Sequence, residues 1–172
     1  MVRRRGVVSG VRMRTRVWSA VLLGVLPGIC GGAVLGSGPA VAAPLPEADL
    51  AFHGSAVMDG DRVEVRLTPR NNGPAAVADA TVRLRWSAVL ADRQQLPAGC
   101  VREDDRTVLC GTGALAADGA GEQVRVAVRL RERPSEVMLE VDTAWNGGVL
   151  DKDRSNDRLT VLVLATGDAY AF

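Results

Sequence analysis

The chain has 172 residues, with 21 Lys and Arg against 20 Asp and Glu, one His, three Cys, two Phe and one Tyr, and that length holds one modest domain. Six arginines and no acid precede Ala43, so the residues from Ala43 onward carry 15 basic against 20 acidic side chains, a net of −5. An acidic average points away from nucleic acid or an anionic membrane as partner, because a phosphate binder needs a basic face to release counterions.

Residues 1–42 have the form of a secretory signal peptide. Arg3, Arg4, Arg5, Arg12, Arg14 and Arg16 precede an apolar stretch from Val17, and Ala40-Val41-Ala42 supplies an A-x-A cleavage site. Gly24, Pro27-Gly28 and Gly31-Gly32 interrupt the apolar run, whereas a spanning helix wants about 20 continuous apolar residues, so no membrane span is expected after cleavage. Ile29 before Cys30 argues against a lipoprotein, and Arg4-Arg5 fits a twin-arginine signal only loosely. Twenty Arg against one Lys suggests a GC-rich bacterial genome. If Cys30 leaves with the signal, Cys100 and Cys110 remain as an even pair in an exported protein and predict a disulfide.

Residues 43–47 form a Pro-rich lead, and residues 48–165 read as strands and turns. Asp49 to Val57 opens the series. Val63, Val65 and Leu67 then alternate with Arg62, Glu64 and Arg66, and Asn71-Asn72-Gly73-Pro74 breaks the chain. Val82, Leu84 and Trp86 alternate with Thr81, Arg83 and Arg85. Next, Arg102 to Arg106 form a charged hairpin tip between Val101 and Thr107-Val108-Leu109, with the two cysteines at its open end. Val124 to Leu130 and Val137 to Val141 are the clearest strands. Leu159 to Leu164, apolar on both faces, reads as a central or covered strand. The tail, residues 166–172, carries Tyr170 and Phe172 and is expected to dock on its own domain. About seven strands without intervening helices predict an all-β, immunoglobulin-like antiparallel β-sandwich, with a small barrel as the structural rival.

The ordered landmarks resemble a bacterial family of extracellular immunoglobulin-like repeats, the domain of unknown function eleven. They are Arg62 to Leu67 with Asn71-Asn72-Gly73-Pro74, Leu96-Pro97-Ala98-Gly99, Cys100, Thr107 to Cys110, Gly113 to Gly119 leading into Val124 to Leu130, and Asp151 to Asp157 leading into the last strand. The match runs from about Ala48 to Leu164. The resemblance implies a spacer, adhesive or interaction role rather than catalysis. Gly99 abutting Cys100 and the additional residues from Ser87 to Gln95 depart from the family pattern and predict rearranged middle strands, while a single copy with neither a sortase-type tail nor a second domain predicts a free secreted protein.

Catalytic and metal chemistry find little support in the sequence. His53 alone cannot build a Ser-His-Asp triad, the cysteines are committed to a bridge, and neither a zinc-ligand spacing nor a phosphate loop occurs. No cofactor and no enzymatic activity are expected. Asp151, Asp153 and Asp157 are a weak calcium candidate, with a solvated turn as the simpler account. Trp86 shares parity with core positions, whereas Trp145 ends its strand beside Asn146-Gly147 and is a candidate contact residue. The expected function is extracellular, matrix or cell-surface binding to a protein or cell-wall component. The alternative is a secreted protease inhibitor presenting the Cys100–Cys110 hairpin with Arg102 or Arg106.

Overall fold

The computed structural model describes residues 44–172; the expected signal segment and cleavage site lie outside the described residues. Among the described residues the chain is all-β, with twelve strands and no helix. They are β1 (Glu47–Ala48), β2 (Leu50–Asp59), β3 (Arg62–Asn71), β4 (Thr81–Trp86), β5 (Cys100–Arg102), β6 (Thr107–Gly111), β7 (Gly119–Ala120), β8 (Val124–Arg129), β9 (Glu136–Trp145), β10 (Leu150–Asp151), β11 (Arg158–Leu164) and β12 (Ala169–Ala171). Seven of these have five or more residues, matching the seven periodic segments of the sequence.

The first antiparallel sheet has the order β11-β9-β4-β6-β5. In the second, β12-β2-β3 continues into both β8 and β7, which pair with successive parts of β3. A small parallel ribbon joins β1 to β10. Alternation decides which face is inside: Val63, Val65 and Leu67 on β3 are fully buried while Arg62 and Arg66 are exposed. Inward side chains of both sheets form one buried cluster, with Phe52, Met58, Val65 and Val126 from the second sheet and Leu84, Trp86, Val108, Leu139 and Val163 from the first. Each fully buried Val or Leu contributes about 1.5–3 kcal/mol.

A smaller cluster of Ala48, Leu50, Val77, Ala80, Leu115 and Val149 is buried separately from this core. It adjoins the Asn71-Asn72-Gly73-Pro74 break, whose residues have specific tasks. The fully buried Asn71 accepts hydrogen bonds at Oδ1 from the amides of Asp49 and Gly73, and donates from Nδ2 to the carbonyls of Ala75 and Ala116. Gly73 lies against the Ala48 backbone, where an added Cβ would come within 2.5 Å of Ala48 Cα.

One expectation is corrected and another holds. The segment Leu159–Leu164 is not a central strand: β11 is an edge of its sheet, and its doubly apolar pattern leaves Leu162 exposed beside Met138 on the outer face. Alternation cannot separate an edge from an interior strand when the outward residues are also apolar. The tail does dock on its own domain: β12 pairs antiparallel with β2, and Gly54 and Phe172 exchange backbone hydrogen bonds of 2.9 and 3.0 Å. The segment 87–95 lies along β8, with Leu90 bridged to Leu130 and the amide of Ala91 donating to the carbonyl of Arg129.

Candidate functional site

Cys100 and Cys110 stand directly opposite each other on β5 and β6 and are joined by the predicted disulfide. The bridge closes the open end of the hairpin within one sheet. At the tip, Arg102 is half-buried and its guanidinium turns back into the protein. Nε donates to the carbonyl of Asp104, and the terminal nitrogens donate to those of Leu90, Ala91, Asp92 and Asp105. It therefore ties the hairpin to the segment beside β8. Arg106 donates from Nη1 to the carbonyl of Ser87 at 2.8 Å. Asp104 accepts the Arg106 amide at 2.7 Å, and that bond first of all holds its carboxyl below the usual range.

The aspartates of the β10–β11 connection serve the backbone and diverge. Asp151 accepts the amides of Leu50 and Asp153, and Asp153 accepts the amide and hydroxyl of Ser155, which lowers its pKa. Asp157 is fully covered, and burial pushes its carboxyl above the ordinary value. The Thr143 hydroxyl and Arg154 oppose that shift more weakly. Arg154 Nε lies 3.0 Å from Asp157 Oδ1 but out of hydrogen-bonding line, and its Nη2 donates to Asp142. Among the described residues, no group of three or more His, Cys, Asp or Glu side chains is arranged to hold a metal ion.

Trp86 is buried and Trp145 is 51 % exposed. A β-bulge explains the second placement. Val82 pairs with Thr143 but Thr81 pairs with Trp145, so one additional β9 residue shifts Trp145 to the outer side shared by Thr81 and Arg83. His53 is exposed on the outer side of β2, opposite Thr68 of β3.

Sequence reasoning passed over a cluster of arginines that the fold assembles from two strands. On the outer face of the second sheet, β3 presents Arg62, Arg66 and Arg70 at every fourth position, all exposed. β8 presents Arg125 and Arg129, also exposed. The register sets Arg62 opposite Arg129 and Arg66 opposite Arg125. At about 3.3 Å of rise per residue these two rows lie ~13 Å apart along the strands. Arg129 bonds Asp61 at 2.9 Å, which holds that carboxyl low, and Arg66 bonds Glu64 at 3.0 Å. Arg70 and Arg125 bond only neutral amides, those of Asn72 and Gln123. Beside the Arg62–Arg129 row lies a groove of about 470 Å³ whose walls include Arg62, Arg93, Gln94, Gln95, Ala127 and Arg129. Gln94 fixes that wall to β8 by accepting the Arg129 amide and donating to the Arg129 carbonyl.

No protein-family model, curated protein or solved structure matches the chain. Its functional reading therefore rests on its own residues.

Proposed function

We propose that the chain is a secreted, non-catalytic binding module with an immunoglobulin-like sandwich architecture, acting on an extracellular or cell-surface partner. Support for export comes from the tripartite N-terminal pattern together with the Cys100–Cys110 bridge. The two sheets with a common buried cluster support the sandwich. The observation that carries the binding role is the arginine-bearing outer face of the β12-β2-β3-β8 sheet. Directly opposed like charges weaken a sheet; Arg129 and Arg66 are offset by Asp61 and Glu64, but Arg62 and Arg125 have no ion pair among the described residues, and an anionic ligand would account for their placement.

The protease-inhibitor alternative receives less support, because the guanidinium of Arg102 is engaged by five backbone carbonyls of its own chain. The test of the module is cosedimentation of the full chain with insoluble bacterial cell-envelope material. Retention at low salt with release on raising the salt is expected. Failure to be retained, or retention indifferent to salt, would count against it.

A further inference from the structure

From the arrangement of charge and polar groups we infer that the arginine face binds an acidic polysaccharide: a thin, hydroxyl-rich chain bearing carboxylate or sulfate groups, laid along β3 and β8. This rests on the binding-module reading and names its ligand class.

The first argument is charge segregation. The face gathers Arg62, Arg66, Arg70, Arg125 and Arg129 against Asp59, Asp61 and Glu64, whereas the rest of the chain from Ala43 carries ten basic and seventeen acidic side chains. A local cationic stripe on an acidic body attracts a polyanion and leaves only a narrow track for it. Guanidinium groups recognise carboxylate and sulfate oxygens through paired N–H donors, which lysines cannot reproduce.

The second argument is the company these arginines keep. Ser55, Thr68 and Gln95 supply neutral hydrogen-bonding groups suited to sugar hydroxyls. Tyr170 and Phe172 turn inward and pack against the core, so they offer this face no aromatic platform. Binding of single-stranded nucleic acid relies on such stacking. Duplex DNA would set a broad phosphate surface against the flanking acids Asp59, Asp61 and Glu64.

The experiment measures binding of the full chain to immobilised polygalacturonate and dextran sulfate, with neutral dextran and duplex DNA as comparison surfaces. Two triple variants accompany it: Arg62→Gln/Arg66→Gln/Arg125→Gln on the proposed face, and Arg83→Gln/Arg85→Gln/Arg158→Gln on the other sheet. The wild-type chain should bind both acidic polymers more tightly than DNA, with no binding to neutral dextran. The face variant should lose about tenfold or more in affinity while the other variant stays within about twofold. The face variant should melt no lower than the wild type, since it relieves like-charge pairs, and this separates lost contacts from lost folding. Equal loss in both variants, binding to neither acidic polymer, or tighter binding to DNA overturns the assignment. If cosedimentation with envelope material persists in any of these cases, the binding-module reading survives while the ligand class fails.

Discussion

Asn71 shows how much one buried polar side chain organises. Its amide completes four hydrogen bonds to backbone groups of Asp49, Gly73, Ala75 and Ala116, so truncation leaves several unsatisfied groups together. Asn71→Ala is expected to cost roughly 2–4 kcal/mol by urea denaturation. A loss under about 0.5 kcal/mol, the range of ordinary surface substitutions, would show that those contacts are dispensable. Asp157 acts in the opposite sense. Burial raises its pKa, so the folded state binds its proton more readily than the unfolded chain does. The resulting stabilisation is present in acid and disappears as pH rises through the folded value. Asp157→Asn should therefore raise the melting temperature at neutral pH, and the gain should shrink toward strongly acidic pH. A variant less stable than wild type at neutral pH would mean that the Arg154 contact outweighs desolvation. Asp61, Asp104 and Asp153, all lowered, contribute stability that is lost as pH falls through their folded values.

Among elements, the β5–β6 hairpin is held by two devices of different origin. The disulfide joins residues 10 apart, and chain-entropy arithmetic for so short a loop gives about 2–3 kcal/mol. Cys100→Ser/Cys110→Ser should lose that amount in denaturant titrations, and reduction of the wild type should reproduce it. An unchanged midpoint would dismiss the bridge as a stabiliser. Arg102 supplies the second device, and its forked donors fit several carbonyls at once where an ammonium group fits fewer. Arg102→Lys should cost roughly 1–3 kcal/mol and accelerate amide exchange at Leu90 and Ala91. Exchange as slow as in wild type would remove the clamp from the account.

The same elements show what was legible in the sequence. Val63-x-Val65-x-Leu67 and Val124-x-Val126-x-Val128 declare strands, because a period of two depends only on near neighbours. The cysteine pair was readable from its even number together with the expected export. The edge position of β11 and the outward turn of Trp145 were not, since one follows from sheet order and the other from a single-residue bulge. Asn71 announced a break in the chain but not the four partners that reach it from distant segments.

At the scale of the whole molecule, the net charge of −5 from Ala43 onward describes no part of the surface well. The spacing of Arg62, Arg66 and Arg70, like that of Arg125 and Arg129, put each set on one side of its strand. What the sequence withheld was the pairing of β3 with β8, segments some sixty residues apart, which merges the two sets into one face. The proposed polysaccharide would lie along that face. The direct measurement is arginine-selective dicarbonyl labelling of the full chain, read by peptide mass spectrometry with and without polygalacturonate. Protection concentrated at Arg62, Arg66, Arg70, Arg125 and Arg129, with Arg83, Arg85 and Arg158 labelled as before, is the predicted result. Protection of the latter three, or uniform protection of both sheets, would contradict it.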